Sequence, residues 1–408
     1  MSYEISRRTT LKGIGAASVT TALAGCTGGD GGSGPDVRVG VLQPATGDLG
    51  NLGAPIQDAG ALPGIQLENE GVDYEIEIRR EDTETDPNIG IERAQALADA
   101  GFPSVTGAAS SGVTVAVAED VFIPQEVVGI SPASTSPAIT EMNGDYLLRT
   151  CPSDALQTQA IADIAYNDEG AETASTFYLN NDYGQGLNDA FVENFEEQGG
   201  EVFEEVAFEA EQPSYDSPLG TALGDEPDML LIVGYPASGE QILRDYYESY
   251  DTGATIFVTD GLQDNDLPSN VDNSLDNVVG TAPSATGPGA DTYADLYEEE
   301  FGGSPGVFTA QAYDATVVHI LAQLRAGELS GSAVSAEIRA VANPDGEEVG
   351  PDNLAEAVEM AANGDEIQYQ GASSAIVFDE NGDLNAVDYE VFEFDSDGYT
   401  TVDQYSIE

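Results

Sequence analysis

Short apolar segments alternate with amphipathic helical segments along most of the chain, and this alternation restricts the possible folds more than any other feature. Val37–Leu42 predicts a strand, the stretch from about Leu52 to Asn69 a helix, and Tyr74–Arg80, with its period of two, a second strand. Asp86 and Pro87 then have the residue types of a helix cap and a first helical position. Such alternation is typical of parallel sheets with helices on both faces.

The second half of the chain repeats this organisation. Asp154 and Gln157 have the spacing of a capping box at the start of a helix, and Thr173–Leu179 predicts a strand. Met229–Gly234 is a continuous apolar run, as strands buried on both faces of a parallel sheet show. Because the strands are too numerous for one comfortable sheet, the sequence predicts an α/β fold with two lobes.

Acidic residues outnumber basic residues by a wide margin. Asp and Glu total 75 against 11 Lys and Arg, which gives a formal net charge of −64. Such a surface repels itself in dilute buffer, whereas in molar salt the Debye length falls to about 3 Å and the repulsion is screened. The acids are spread among apolar segments, so the charge predicts a folded protein adapted to high salt. Binding to nucleic acid or to an anionic membrane surface by charge is strongly disfavoured.

The N-terminal segment has its elements in the order of an export signal. Arg7 and Arg8 precede a weakly apolar stretch that is too short to span a bilayer, which needs about 20 apolar residues. The stretch ends in the letters LAGC at Cys26, which resembles a lipobox. We therefore predict a twin-arginine lipoprotein signal over 1–25, a lipid on Cys26 and a flexible tether over 26–35. The mature chain is expected to be anchored at the outer face of the cytoplasmic membrane.

Polar residues follow several predicted strands, at the strand ends where open parallel sheets bind ligands. In the first lobe these are Ser111, at the start of a helix that suits a carboxylate, and the segment Ser131–Thr135. In the second lobe they are Tyr183, Tyr235 and Asp260, whose carboxylate suits an ammonium group. Taken singly, such Ser and Thr residues are more often turn or cap residues. Together they predict a site for a zwitterion.

The remaining chemical groups indicate no reaction. With Cys26 assigned to lipidation, Cys151 has no partner and is predicted to be a buried free thiol, and His319 is predicted to pack or to lie at the surface. The acids of 379–383 lack the spacing of an EF-hand, and Asn381-Gly382 favours a hairpin turn. The sequence has no metal-ligand Cys/His spacing, nucleophile elbow or P-loop. We therefore expect that the protein is not an enzyme and binds no cofactor or metal. The remote alternative is an enzyme that uses a pair of carboxylates, as glycosidases do.

Eight stretches resemble the type I periplasmic-binding-protein family, specifically the leucine/isoleucine/valine-binding and related solute receptors. They occur in the order of the family across nearly all of the mature chain, and the set is specific although no single stretch is. The stretches are VGVLQPATGDLGNLG (39–53), VTGAASSGVT (105–114), ISPASTSPAIT (130–140), LRTCPSDALQ (148–157), LNNDYGQGLNDAF (179–191), LLIVGYPA (230–237), VTDGL (258–262) and QAYDAT (311–316).

The resemblance implies two Rossmann-like lobes with parallel central sheets, joined by a hinge of three crossovers. Both lobes are then discontinuous, with 36–153 plus 284–370 in the first and 154–283 plus 371–408 in the second. The implied function is capture of a small amino acid by hinge closure, without catalysis, and its delivery to an ABC permease in the cytoplasmic membrane. A monomer is expected.

The resemblance also implies a set of ligand-binding residues from both lobes. They are Ser111, Ala133, Ser134, Thr135, Tyr183, Tyr235, Asp260, Leu52 and Phe308. In this set Asp260 holds the ammonium group, and Leu52 and Phe308 contact the side chain of the ligand. Asp260 stands where branched-chain receptors often carry Glu, and Leu52 stands where an aromatic residue is frequent, so both positions depart from the family pattern.

Two alternatives to amino-acid transport follow from the same fold. Relatives of this fold bind urea, short amides or aromatic acids, so each of these is an alternative to an amino acid as the ligand. A sensory ligand-binding protein captures its ligand in the same way as a transport receptor, so the sequence does not separate sensing from uptake.

Overall fold

The computed structural model describes residues 36–142, 144–250, 252–343, 345–384 and 387–407. The predicted export signal with Arg7 and Arg8, the predicted lipidation site at Cys26 and the tether over 26–35 lie outside the described residues. Within the described ranges, none of the helices combines the length and the apolarity that a membrane span requires.

The strands of the described residues form two large sheets and one small sheet. The five-stranded sheet has the order β2-β1-β3-β4-β5 and is parallel throughout. The seven-stranded sheet has the order β14-β13-β10-β9-β8-β6-β7, and β11 pairs with β12. In chain order the strands are β1 (Val37–Gln43), β2 (Ile76–Asp82), β3 (Ser104–Gly107), β4 (Val128–Ser131), β5 (Leu147–Arg149), β6 (Thr173–Leu179), β7 (Glu201–Phe208), β8 (Met229–Val233), β9 (Thr255–Val258), β10 (Val278–Pro283), β11 (Glu347–Val349), β12 (Ile367–Tyr369), β13 (Val387–Asp395) and β14 (Gly398–Ile407).

The α-helices connect these strands and cover the sheets. They are α1 (Gly50–Glu70), α2 (Pro87–Asp99), α3 (Ser111–Val117), α4 (Ile123–Gln125), α5 (Asp154–Asp163), α6 (Asp182–Gln198), α7 (Asp216–Ala222), α8 (Pro236–Ser249), α9 (Leu267–Val271), α10 (Ala290–Phe301), α11 (Thr309–Ala326), α12 (Gly331–Ala342) and α13 (Leu354–Asn363). The prediction of an α/β fold with two parallel sheets is confirmed. The antiparallel strands β13 and β14 at one edge of the second sheet were outside the prediction.

The apolar patterns explain why these elements form. Every residue of β8 is buried, as its uninterrupted apolar run predicts. Helix α11 is buried from Thr309 to Leu324 because it packs against α1, α12, α13 and the first sheet. Its one histidine, His319, packs inside, with Nε2 3.1 Å from the carbonyl oxygen of Val105. Burial lowers the pKa of His319 to about 3, so the ring is neutral at physiological pH.

Local capping signals were right at one helix and wrong at another. The Asp86 carboxylate caps α2, since its Oδ1 accepts from the backbone N–H of Asn88 at 2.7 Å, which confirms the prediction. The capping box predicted at Asp154 is absent, because Ser153 is the residue that caps α5. The Gln157 side chain instead donates to the carbonyl oxygen of Thr281 in β10 at 2.8 Å. The Gln157 side chain therefore makes a tertiary contact with β10 and takes no part in capping α5.

Three segments carry the chain between the two large sheets, and hydrogen bonds join them. Thr150, after β5, donates through its hydroxyl to the carbonyl oxygen of Gln311 at 2.8 Å. Between β10 and α10, the N–H of Thr286 donates to the carbonyl oxygen of Ser373 at 3.1 Å. The buried carboxylate of Asp314 in α11 accepts from the N–H groups of Ala372 and Ser373, both at 2.8 Å. The third connecting segment is thereby fixed to the helix that covers the first sheet.

Candidate functional site

A cavity of about 10 Å³ lies at the carboxyl ends of strands from both large sheets. On this measure a cavity needs about 10–15 Å³ to hold one water molecule. The walls therefore have to move apart before a solute can enter. It is lined by Leu49, Leu52, Ile56, Ala109, Ala133, Tyr183, Tyr235, Asp260, Gly261 and Phe308.

One wall of the cavity is apolar. Leu49, Leu52 and Ile56 recur at intervals of three and four residues, so the first turns of α1 present them on one face. Phe308, which precedes α11, completes this wall and has a left-handed backbone conformation with φ of 63°. A non-glycine residue costs free energy in this conformation, and such residues cluster at ligand sites. The wall offers an aliphatic or aromatic ligand side chain a dry surface.

Two stacked tyrosines form the opposite wall. The rings of Tyr183 and Tyr235 are 5.4 Å apart between centroids and inclined by 7°. The Tyr183 hydroxyl lies 2.6 Å from Thr259 Oγ1, and the Tyr235 hydroxyl donates to Ser110 Oγ at 3.1 Å. Burial raises the pKa of both phenols, so both stay uncharged near neutral pH. The bond from Tyr235 to Ser110 also joins the two sides of the cavity.

Asp260 supplies a carboxyl group with unused hydrogen-bonding capacity. It starts a short 3₁₀ turn after β9 and is 3 % exposed. Its Oδ2 is 3.5 Å from the Tyr183 hydroxyl, while Oδ1 is buried without a hydrogen-bond partner among the described residues. Burial raises the pKa of Asp260 to about 6, and the nearby polar groups of Gln157 and Tyr183 limit the rise. A buried, unpaired carboxylate is costly, so this group requires a cationic or donating partner.

A second buried carboxyl lies close to Asp260 and was missed from the sequence. Asp154 opens α5, is fully buried, and has no hydrogen-bond partner for either carboxyl oxygen within the ranges described. Burial raises the pKa of Asp154, the negative charge of Asp260 raises it further, and the Thr135 hydroxyl and Arg149 lower it in part. The signal was present, because Asp154 follows strand β5 as Asp260 follows β9.

The three first-lobe hydroxyls lie beside the cavity rather than on its wall. Ser111 Oγ accepts from the N–H of Ser136 at 3.3 Å. Ser134 Oγ lies 3.0 Å from the carbonyl oxygens of Ala108 and Ala109 and 2.7 Å from the Thr114 hydroxyl, which engages it within the loops. Thr135 Oγ1 is buried and has no geometric hydrogen-bond partner in the described part.

The structure brings together most of the residues that sequence reasoning selected. Leu52, Ala133, Tyr183, Tyr235, Asp260 and Phe308 share the wall of one cavity. The wall also contains residues that the sequence reasoning did not select: Leu49, Ile56, Ala109 and Gly261. Apolar residues on a helix face have the pattern of an ordinary core, so no sequence signal separates Leu49 and Ile56 from core residues.

A buried arginine supports the loop beneath the cavity. Arg149 is fully buried, and its Nη1 donates to the carbonyl oxygens of Thr135 at 3.0 Å and Ser136 at 2.9 Å. Its Nε donates to Asp383 Oδ1 at 2.6 Å, and its Nη2 donates to Thr140 Oγ1 at 2.7 Å. These bonds fix the loop that contributes Ala133 to the cavity.

Residues 36–362 match the family model described as periplasmic binding protein. Among curated relatives, the chemotactic signal transduction system substrate-binding protein BasB of Halobacterium salinarum is 28% identical over 356 residues, which cover 84% of each chain. The Leu/Ile/Val-binding protein BraC3 of Rhizobium johnstonii is 27% identical over 323 residues, which cover 77% of this chain and 85% of BraC3.

Solved structures have the same fold. The leucine binding protein LivK of Thermotoga maritima matches with a TM-score of 0.76 and 25% identity, over 90% of this chain and 98% of LivK. LivJ of Streptococcus pneumoniae, solved with isoleucine, matches with a TM-score of 0.74 and 18% identity, over 91% of this chain and 99% of LivJ. A solute binding protein of R. palustris, solved with benzoate, has a TM-score of 0.72 and 16% identity, over 91% of this chain and 97% of that protein. At these two lower identities the likeness shows the fold alone.

Proposed function

Since this chain belongs to the periplasmic binding protein family, whose members are solute-binding proteins of transporters and not enzymes, we propose that it captures a branched-chain type of amino acid for uptake. The observation that carries the proposal is the chemical division of the cavity. Leu49, Leu52 and Ile56 form an apolar wall, and the unpaired carboxyl group of Asp260 lies at the other side. An aliphatic side chain and an ammonium group on one small molecule match these two surfaces.

The first-lobe loops supply the groups for the carboxylate of the amino acid. Ser111 starts α3, where backbone N–H groups and the helix dipole favour an anion. Thr135 has a buried hydroxyl oxygen without a geometric partner, next to Asp154. We assign Ser111, Ser134 and Thr135 to this end of the site, with Ser134 acting through the loop that it joins to Ala108.

The two carboxyl groups favour an amino acid over an aromatic acid. The R. palustris neighbour was solved with benzoate, an anion. In this chain Asp154 and Asp260 are both buried at the site, and a carboxylate ligand without an ammonium group adds a like charge beside the ionised Asp260. Urea and short amides carry no positive charge, so they offer N–H donors but leave the negative charge of the site uncompensated.

The lobes and the partner are part of the same proposal. We assign 36–153 plus 284–370 to the first lobe and 154–283 plus 371–408 to the second, joined by three crossovers that allow hinge closure. The N–H groups of Ala372 and Ser373 donate to Asp314 of α11, which attaches the start of the last segment to the first lobe as a crossover requires. The partner is an ABC permease, and the receptor acts as a monomer attached through the lipid on Cys26.

A sensory role is the second candidate, and one specific observation favours it. The relative BasB is a substrate-binding protein of a chemotactic signal transduction system, and it aligns over 84% of this chain. BasB also comes from a Halobacterium, which agrees with the adaptation to high salt that the net charge of −64 predicts. Capture of the ligand is the same in both roles, so sensing differs only in the membrane partner.

Thermal unfolding in molar KCl against a ligand panel tests the proposal. The purified mature domain is heated with leucine, isoleucine, valine, other amino acids, urea, short amides and benzoate. A ligand present at about 100 times its dissociation constant adds about 2.7 kcal/mol to the free energy of unfolding and raises the midpoint. We expect the rise with branched-chain amino acids. A rise with urea or benzoate alone would retain a binding protein and remove the assigned amino acid.

The affinity for the amino acid is expected to depend on pH through Asp260. The pKa of Asp260 in the empty site is raised to about 6, so below that pH the carboxyl group is protonated and gives the ammonium group no negative partner. Leucine affinity should therefore rise as the pH increases from about 5 to 7, with a slope of at most about tenfold per pH unit for one proton. Calorimetric titrations at several pH values measure this slope. The slope should disappear in Asp260→Asn, and its persistence would assign the titration to another group.

A further inference from the structure

Helix α8 begins at the ligand cavity, and the residue before it does not cap it. Pro236, at its first position, has no N–H group, and Gly239 donates to the carbonyl oxygen of Tyr235 at 2.8 Å. The N–H groups of Ala237 and Ser238 therefore have no acceptor inside the helix. Tyr235, which precedes α8, makes no side-chain cap bond within the described residues. Both N–H groups need an acceptor from elsewhere in the fold.

Asp48, in the loop between β1 and α1, supplies both acceptors from the other side of the cavity. Its carbonyl oxygen accepts from the N–H of Ala237 at 3.4 Å, and its Oδ1 accepts from the N–H of Ser238 at 2.9 Å. The Ser238 hydroxyl donates to the same Oδ1 at 2.8 Å. β1 belongs to the five-stranded sheet, whereas α8 follows β8 of the seven-stranded sheet. A loop of one sheet thus caps a helix of the other.

The loop that carries Asp48 is fixed by its own sheet. The N–H of Leu49 donates to Thr85 Oγ1 at 3.2 Å, and the Thr46 hydroxyl donates to Asp82 Oδ2 at 2.8 Å. The Thr85 hydroxyl donates in turn to the carbonyl oxygen of Thr46 at 3.1 Å. These partners belong to β2 and to the loops after β1 and β2, so none of the bonds depends on α8. The carboxylate is already in position when α8 approaches, which lowers the entropy cost of the contact.

The charge of Asp48 suits the start of a helix. Asp48 is 5 % exposed, and burial of a carboxylate costs free energy unless it is compensated. The N-terminus of α8 compensates it with hydrogen-bond donors and with the positive end of the helix dipole. Burial raises the pKa of Asp48, the bonds from Ser238 lower it, and the negative charge of Glu211 raises it further. Only Oδ1 takes part in the cap, since Oδ2 has no hydrogen-bond partner in the part of the chain that the structure describes.

The contact joins the two walls of the ligand cavity and depends on their approach. Leu49, next to Asp48, lines the apolar wall, and Tyr235, next to α8, lines the opposite wall. The cavity has a volume of about 10 Å³, so the walls have to move apart to admit a solute. That movement separates Asp48 from α8 and leaves the N–H group of Ser238 to water. The cap therefore stabilises the closed conformation and not the open one.

We propose that Asp48 caps α8 across the cavity in the closed state alone, and that this cap controls how tightly the protein holds its amino acid. The inference rests on the proposed capture of an amino acid between the lobes. Asp48 is a positioning residue, because it acts on the ligand through α8 and Tyr235. A contact present only in the closed state adds to the affinity of any ligand that requires closure. Loss of a well-formed helix cap changes such an equilibrium by about 5- to 30-fold.

Calorimetric titration of three variants with leucine in molar KCl tests the cap. Asp48→Ala removes Oδ1, so leucine should bind about 5- to 30-fold more weakly. Asp48→Asn keeps an oxygen that accepts from Ser238, and asparagine caps helices about as well as aspartate, so its affinity should stay within about twofold. Glu299→Ala removes an exposed carboxylate from α10 and should leave the affinity unchanged. An unchanged affinity in Asp48→Ala would overturn the inference.

Unfolding without leucine separates closure from general stability. In urea, Asp48→Ala should match the unmodified protein, because the open state lacks the cap. A loss of stability as large as the loss of leucine affinity would mean that Asp48 stabilises the fold in both states, and it would overturn a role in closure.

A cross-link gives a direct measurement that does not depend on leucine. Oxidation of the double variant Asp48→Cys/Ser238→Cys should form a disulfide that peptide mapping identifies. The linked protein should have a smaller radius of gyration in X-ray scattering than its reduced form. If leucine does not bind at all, the proposed function fails, while formation of the compact linked form retains the inference. Absence of the disulfide overturns the inference whatever leucine does.

Discussion

Replacement of Asp260 by asparagine is expected to weaken leucine binding by about 30- to 4,000-fold. Truncating or neutralising one partner of a buried, hydrogen-bonded charge pair costs about 2–5 kcal/mol, and each 1.4 kcal/mol is a factor of ten in affinity. Asp260 is 3 % exposed, with an oxygen that has no other partner in the described residues, so water does not replace the lost interaction. Calorimetric titration of both proteins with leucine in molar KCl measures the difference.

Two controls separate this effect from a general loss of charge or of folding. Asp272→Asn removes an exposed carboxylate at a left-handed position that asparagine tolerates, and its leucine affinity should match that of the unmodified protein. The second control uses 4-methylpentanoate, which is leucine without its ammonium group. Asp260→Asn should bind this compound no more weakly than the unmodified protein does. An equal loss of affinity for both compounds would show that Asp260 acts on the shape of the site and not on the ammonium group.

The pattern of apolar residues predicted the elements well because burial in this fold follows local periodicity. Thr173–Leu179 has the predicted bounds, and β8 lies in the predicted run. Asp86 caps its helix as predicted because the cap depends on neighbours two and three residues away. Asp154 and Gln157 also have the spacing of a helix cap, but residues over a hundred positions later in the chain determine their environment: Asp260 for Asp154 and Thr281 for Gln157. Contacts at this separation cannot be predicted from a short stretch of sequence.

Some residues of the candidate site could be predicted from local sequence, whereas others depend on tertiary contacts. Tyr183, Tyr235 and Asp260 could be selected from the residues alone, because the rule about strand ends depends only on the order of elements. Leu52 and Phe308 came only through the family resemblance. The sequence does not predict the orientation of each side chain. Orientation is the reason that Ser134 bonds to loop carbonyl oxygens and that Asp154 has two oxygens without a hydrogen-bond partner among the described residues.

Replacement of Arg149 by methionine is expected to cost about 3–5 kcal/mol of the free energy of unfolding. The methionine side chain has similar length but donates no hydrogen bond. Asp383 then loses its cationic partner and keeps only the hydrogen bond from the Thr140 hydroxyl. The carbonyl oxygens of Thr135 and Ser136 also lose the bonds from the guanidinium. Removing one member of a buried ion pair has a cost of about this size. Urea unfolding in molar KCl, with linear extrapolation, measures the loss.

Because Arg149 holds the loop that carries Ala133 and Thr135, the same variant also tests whether this loop contributes to ligand binding. Arg79→Met is the matched control, since the Arg79 side chain is 41% exposed and its ion pair with Glu81 should contribute about 1 kcal/mol or less. Below the urea transition, Arg149→Met should also bind leucine more weakly, because its loop presents Ala133 and Thr135 to the ligand. A loss of stability without any loss of affinity would mean that the loop keeps its conformation without the guanidinium. Arg149 would then stabilise the lobe and have no part in presenting the site.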